Sequence, residues 1–461
     1  MGFRDVVGSF GEVIGGSIAA SSWTGRMIFT ALQRARTKKE IQGIYNQAYD
    51  TNFQNRSVCV LPGVDKKQLL LVTDDPGDND IYDYQTESST PAIDYIWGDT
   101  DGPESSIVSG GQNGERVRAL MPFVHKSQQE DIPVIALHTG NRELESMIDG
   151  HSSACELISR GNFYYDIFRG MPVEDMAFLL YETMPEGDGS PAAESLLRSL
   201  LEVVLRKQGT VTFQNLAAFP LPNLNDTLDA MRKAGELSSD EYREINRYYM
   251  SGSPAIDSVR IFLNKLNRQA EGIYGRPVSN ACNIKKMLNC KGAIAIDVGN
   301  VNNDLFFSLT INHLMLLRSQ GRSFSILLDG IPLSRFPKAN DLLREQVYAI
   351  SHSDFVSSLF GGERRGEEMF SEITGNVSSL VLFRHTSGAS CQKWSEHLGK
   401  YHKIRIKYNI SQISSFVNPG DSRGISVDEA DESRIRAETL AKLPGAFACI
   451  HKSGGTLLAE V

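Results

Sequence analysis

The stretch Ile132–Ile148, IPVIALHTGNRELESMI, constrains the fold of this chain more than any other. Its opening run, Ile132-Pro133-Val134-Ile135-Ala136-Leu137, has the length and apolar character of a buried parallel strand. His138, Thr139 and Gly140 make a turn, and Leu144, Met147 and Ile148 follow at helical spacing. A strand, a glycine turn and a helix N-terminus form the scaffold of a phosphate-binding loop, where free backbone N–H groups and the helix dipole hold an anion. The residues that give such a loop its chemistry are missing. The working motif sets two glycines around four residues and ends in Lys-Ser/Thr. Here Leu137 stands for the first glycine, Arg142 for the second, Glu143 for the lysine and Leu144 for the hydroxyl. His138, Thr139, Gly140, Asn141, Arg142, Glu143 and Leu144 are therefore positions of a degenerate nucleotide site. A carboxylate repels a triphosphate, and leucine offers magnesium no ligand. Of His138, capping of the strand end is expected rather than a phosphate contact.

At 461 residues the chain has room for two or three domains and a sizeable core. A net charge of -9 and a pI near 5.6 argue against a broadly basic nucleic-acid surface, though not against a local basic channel in an oligomer. Cys59, Cys155, Cys282, Cys290, Cys391 and Cys449 are scattered without a C-x-x-C pair, which fits free thiols in a reducing cytoplasm. No secretory signal is expected, because Arg4, Asp5 and Glu12 interrupt the first apolar residues. No run reaches the ~18 apolar residues of a membrane-spanning helix.

Residues 1–55 read as an N-terminal helical segment. Ile28, Leu32, Ile41, Ile44 and Tyr45 share a face beside Arg34, Arg36, Lys38 and Lys39. Docking on the protein itself or on a neighbouring subunit is the preferred reading, and peripheral contact of residues 1–50 with an anionic membrane the alternative. Within residues 56–130, VCVLPGVDKKQLLLV (58–72) reads as a β-hairpin, and an acidic loop follows over residues 74–104. A calcium site there lacks the closing glutamate of a hand-type loop. Gly110 to Gly114 reads as a flexible turn.

Residues 172–280 read as helical, with Ser190-Pro191 opening one helix and Ser239 capping another. Beyond residue 290 the pattern alternates. Strands are expected at Gly292–Val298, Phe324–Leu328, Phe355–Phe360 and Leu380–Phe383, and helices at Asn303–Ser319, Lys338–Ser351, Arg364–Ile373 and Ser390–Tyr401. Strands separated by amphipathic helices imply a parallel sheet.

Three segments carry a resemblance: SILLDGIP, then FVSSLFGGERRGEEMFSEITGNVSSLVLFRHTSGASCQKWSEHLGKY, then SRIRAETLAKLPGAFACIHKSGG. In this order they resemble the FtsK/HerA-type RecA-like motor domain of the P-loop ATPase superfamily, and within it the type IV secretion coupling proteins of conjugation systems. NFYYDIFRGMP is similar to the segment that precedes that family's all-helical domain. The resemblance spans residues 130–461. It implies an α/β fold: a RecA-like three-layer, mainly parallel sheet over residues 131–171 and 281–461, an inserted all-helical domain over 172–280, and a small N-terminal β-containing extension.

Residue by residue, the resemblance implies that Asp329 is the acid that would hold magnesium through water. Gly330 stands where the base-providing glutamate belongs, and the γ-phosphate-sensing glutamine is replaced near Leu359–Phe360. Arg344, Arg364 and Arg365 are candidates to complete a neighbour's site in trans. A thiol hydrolase built on His385, Ser387, Cys391 and His397 is disfavoured, because Cys391 and His397 are not at a same-face helical interval. No catalytic residue, metal or cofactor is expected.

The expected function is that of a non-hydrolysing motor homologue, a pseudo-ATPase serving as a structural or adaptor subunit of a secretion or conjugation machine. Its partners would be proteins, either active motor subunits or secretion adaptors, at the cytoplasmic side of a membrane; a nucleic-acid partner is left open. Two alternatives stand beside it: an active, ATP- and magnesium-dependent DNA or protein translocase, and a stand-alone scaffold or immunity-type protein.

Overall fold

The computed structural model describes residues 17–18, 23–35, 38–56, 58–60, 83–84, 102–158, 165–185, 187–271, 282–299, 304–359, 365–413, 420–452 and 455–461. The chain divides into two compact units, Trp97–Ser379 and the combination of Met1–Ile96 with Leu380–Val461.

The Trp97–Ser379 unit is an α/β domain. Six of its strands are β1 (Ser106–Ser109), β2 (Val134–His138), β3 (Cys155–Ile158), β4 (Ala293–Asp297), β5 (Ser325–Asp329) and β6 (Val347–His352). They lie in the order β1-β6-β5-β2-β4-β3, and every neighbouring pair is parallel. Every residue of β1, β2 and β5 is buried, as the unbroken apolar runs of the last two require. Parallel pairing brings all the strand C-termini to one edge. One register row there runs Ser351–Asp329–His138–Asp297 across β6, β5, β2 and β4. The helices that matter at this edge are α1 (Asn113–Gln129), between β1 and β2, and α2 (Arg142–His151), between β2 and β3.

Between β3 and β4 stands the helical block. It includes α3 (Val173–Thr183), α4 (Pro191–Gln208), α5 (Ser239–Gly252) and α6 (Ile256–Gln269), with shorter helices at Phe213–Ala218 and Leu224–Lys233. Helix α4 starts where Ser190 accepts the Ala193 N–H and ends at Gly209 with φ 70°, the left-handed stop that glycine adopts freely. Its leucine face, Leu196, Leu197, Leu200 and Leu201, is fully buried. The cap of α5 is Ser238 rather than the expected Ser239, because the Ser238 hydroxyl accepts the Glu241 N–H while the Glu241 carboxylate accepts the Ser238 N–H. Helices α7 (Ile284–Asn289) and α8 (Asp304–Ser319) follow the block.

Three local expectations are corrected. The Gly110–Gly114 turn is confined to Gly110 and Gly111, both at positive φ, and it joins a buried strand to the long helix α1. Ser106 and Ser109 hid that strand from a hydropathy reading; both are fully buried, and Ser109 accepts the Phe355 N–H. Phe355–Leu359 is a helix rather than a strand, started by Asp354 accepting the Ser357 N–H. The strand lies earlier, at Val347–His352, where a helix had been expected to run through; that helix stops at Leu343.

In the Met1–Ile96/Leu380–Val461 unit, helices Trp23–Arg34 and Lys38–Arg56 pack on a long antiparallel hairpin, Lys400–Ile413 with Gly420–Ser433, which the hydropathy pattern did not suggest. Ile28, Phe29, Leu32 and Ala48 form a core with Ile404 and Val427. Asn52 locks the register by accepting the Ile404 N–H and donating to the Ile404 carbonyl. The expected docked face is thus used within the chain. A second, mixed group of strands pairs Phe447–Lys452 antiparallel with Gly455–Glu460, which runs parallel to Val58–Val60. Most of the expected 58–72 hairpin and of the 74–104 acidic loop lies outside the described residues. Among the described residues, no helix is long and apolar enough to cross a membrane.

Candidate functional site

The row of polar residues at the strand C-termini sits where ligands bind in open parallel α/β sheets. Its centre is the turn between β2 and α2, only Thr139, Gly140 and Asn141 long. Asn141 caps α2, its side-chain oxygen accepting the Leu144 N–H at 3.1 Å. The Asn141 N–H donates to His138 Nδ1 at 3.0 Å, and the Gly140 N–H to Asp297 Oδ1 at 3.1 Å. Three N–H groups of the turn and first helical turn are thus taken by the chain's own side chains.

Asp329 at the end of β5 is buried and satisfied in the same way. Its Oδ1 accepts the Ser351 hydroxyl at 2.6 Å, and its Oδ2 accepts the Asn141 side-chain N–H at 2.8 Å. Asn141 in turn exchanges amide hydrogen bonds with Asn113 at the start of α1, at 2.8 and 2.9 Å. Two helix N-termini therefore meet through an asparagine pair. Asn113 also donates to Glu143 at 2.6 Å. From α1, Arg116 is held by the Gly110 and Gly111 carbonyls at 3.2 and 2.9 Å. Burial lowers its pKa, and Asp329, Glu115 and Glu143 pull it back up.

His138 is fully buried, and burial is the largest cause of its lowered pKa; Asp297, Glu145 and Asp329 oppose that shift, and Arg142 adds to it. With Nδ1 accepting from Asn141, the imidazole proton belongs on Nε2, which faces Glu145 Oε1 at 3.5 Å without making a hydrogen bond. Arg142, largely exposed, reaches the other Glu145 oxygen at 3.0 Å.

Gly330 has φ +70°, and a Cβ built there would lie 2.5 Å from Thr139 Oγ1. The position expected to have lost a glutamate therefore has no room for one while Thr139 keeps its place. Leu144, in the hydroxyl's position, is fully buried in the core.

The other expected positions lie apart from this cluster. Arg344 hydrogen-bonds Glu372, with Asp341 a further partner at 3.3 Å. Arg364 lies outside the described residues, and Arg365 opens the helix Arg365–Gly375. Cys391 is buried and donates to the His385 carbonyl at 3.8 Å. No group of three or more His, Cys, Asp or Glu suited to a metal ion occurs among the described residues. Asp297, Asn113, Arg116 and Ser351 join the site without having been singled out in the sequence. Asp297 had a usable signal: AIAIDVG repeats the apolar-run, aspartate and glycine order of SILLDG.

A nucleotide fits this constellation poorly. A carboxylate, Glu143, stands in the lysine's position, and the Gly140, Asn141 and Leu144 N–H groups are engaged. The local charge is dominated by Asp297, Asp329, Glu143 and Glu145.

Fold and strand ends together define a parallel-sheet α/β domain with a buried polar cluster at the strand C-termini. Solved structures with this fold include the bacterial conjugative coupling protein TrwBdeltaN70 in its unbound monoclinic form. It is 14% identical at a TM-score of 0.52, with 78% of this chain and 86% of that one covered. The plasmid coupling protein TrwB in complex with a non-hydrolysable ATP analogue is 15% identical at 0.52, covering 88% and 92%. TrwB with ADP and Mg2+ is 14% identical at 0.50, covering 77% and 84%. At these identities the likeness is one of fold. No protein-family profile matches the chain, and no curated protein sequence matches it.

Proposed function

We propose that this chain is a pseudo-ATPase: a motor-fold subunit of a conjugation- or secretion-type machine that contributes structure or an adaptor surface and does not hydrolyse nucleotide. The observation that carries the reading is the turn between β2 and α2, in which Asp297, His138 and Asn141 take the Gly140, Asn141 and Leu144 N–H groups. Phosphoryl transfer rests on positioning and on neutralising charge with lysine, metal and arginine. Here the lysine and the hydroxyl are replaced, and the base has no space. Rebuilding the site would require breaking the Asn141–Asp329 and Ser351–Asp329 hydrogen bonds. The likeness of fold to coupling proteins supports the choice of machine, and the helical block between β3 and β4 offers it a surface of its own.

The deciding experiment is a calorimetric ATP titration with and without magnesium, on the purified chain and on any complex that copurifies with it. No magnesium-dependent binding by the chain is expected. Tight magnesium-dependent binding that Asp329→Ala abolishes would overturn the reading and favour an active translocase.

A further inference from the structure

The helix Trp23–Arg34 has two faces of opposite character. Gly25, Ile28, Phe29 and Leu32 are buried, the last three in the core shared with Ile404 and Val427 of the hairpin. Trp23, Arg26, Met27, Thr30 and Arg34 are exposed. Their spacing of i, i+3, i+4, i+7 and i+11 sets them on one stripe, turned away from the docked one. Trp23 is 76% exposed and Met27 45%. A single exposed apolar residue needs no partner. Here a tryptophan and a methionine stand one helical turn apart, with arginines on the same stripe.

Charge indicates what that stripe meets. Residues 23–39 contain Arg26, Arg34, Arg36, Lys38 and Lys39 and no Asp or Glu, in a chain whose net charge is -9. Lys39 is exposed as well. An acidic chain that keeps carboxylates out of one stretch presents that stretch to an anionic surface and is repelled from it elsewhere. The surface must also give Trp23 and Met27 an apolar layer beneath the charges. A bilayer interface has both layers, since tryptophan settles at headgroup depth and arginine pairs with anionic lipid.

We propose that the outward stripe of this helix, Trp23, Arg26, Met27 and Arg34, rests on a bilayer that contains anionic lipid, while the inward stripe holds the hairpin. The face with Ile28 and Leu32, on which the sequence set membrane contact, belongs to the protein core; the contact is made by the opposite face. The helix has twelve residues. At ~1.5 Å each it is too short to cross a bilayer and lies flat on one. With two apolar anchors and a few cations the attachment is shallow, reversible and sensitive to salt.

The test takes the full chain to vesicles of phosphatidylcholine alone, and to vesicles with about a quarter phosphatidylserine. Cofloatation with the anionic vesicles only is expected, falling as salt is raised. The tryptophans are Trp23, Trp97 and Trp394. Emission should shift to the blue on binding, and Trp23→Phe should still cofloat but lose the shift. Arg26→Ala with Arg34→Ala should weaken partitioning about thirtyfold, at roughly fivefold for each cation. All three residues are exposed, so the circular dichroism spectrum should stay unchanged. The proposal is overturned if the chain floats with neither vesicle or equally with both, or if the double variant binds as wild type does. It is also overturned if the Trp23 shift appears without lipid as protein concentration rises, which would make a second copy the occupant.

Discussion

His138 and His313 are buried histidines of one domain in opposite electrical surroundings. Burial lowers the pKa of both. Around His138 the carboxylates of Asp297, Glu145 and Asp329 work against that shift, whereas Lys285 adds to it at His313. The strand-end edge is thus the acidic place, and His313 lies beside a cation, Lys285. Hydrogen bonding does not separate them: His138 Nδ1 accepts from Asn141, but its Nε2, like His313 Nδ1, is buried without a hydrogen-bond partner.

The largest effect should come from placing a carboxylate side chain next to Asp329. Gly330→Glu puts a side chain at φ +70° and a Cβ against Thr139 Oγ1, and it adds a carboxylate beside Asp329. A destabilisation of more than ~3 kcal/mol is expected, read as a lower urea midpoint, with no gain of ATP turnover. A variant as stable as wild type that hydrolyses ATP would break the distinction drawn between the two histidine sites.

Next in size is the acid response of His313. Its ordinary value is 6.5 and its folded value about 4, so between these pH values the unfolded chain binds more protons than the folded one. Stability should therefore fall as pH drops from about 6.5 to about 4, by ~3 kcal/mol from this group, and level off below. His313→Met should lose that part of the slope in urea melts taken across the range. An unchanged slope would show that His313 does not carry the response.

Asn141→Ala tests the closure directly. It removes the cap of α2 and one of the two hydrogen bonds to Asp329. A loss of ~1–2 kcal/mol in chemical unfolding is expected. No loss would mean that the asparagine network is decoration.

How much of this was readable beforehand follows the range of the interactions. The strand–turn–helix over residues 132–148 was legible because its hydrophobic period and glycine are local. The α4 entry at Ser190-Pro191 was legible for the same reason, whereas Asp329 was marked only by the family resemblance. Ser351 and Asn113 were not, because each matters only through its partner in another element: Ser351 meets Asp329 by register between neighbouring strands, and Asn113 meets Asn141 where two helix starts converge. Strand β1 was missed because its ends are serines, and serine is a poor hydropathy signal even when fully buried. Thr139 and Gly330 show the same limit from the other side. Their separate identities say nothing of the close approach that leaves Gly330 no side-chain space.

The smallest effect should come from Glu143→Lys. The substitution places a cation in the first turn of α2. It removes a carboxylate that suits a helix N-terminus and accepts from Asn113, so stability should drop by under ~1 kcal/mol. Nucleotide affinity should not appear, because the added ammonium leaves His138 and Asp297 still holding the Asn141 and Gly140 N–H groups. One charge placed in solvent is screened, whereas a phosphate cradle works through several donors fixed in advance. Magnesium-dependent ATP binding by Glu143→Lys alone would show that charge at this position, rather than the hydrogen bonds of the turn, governs nucleotide affinity.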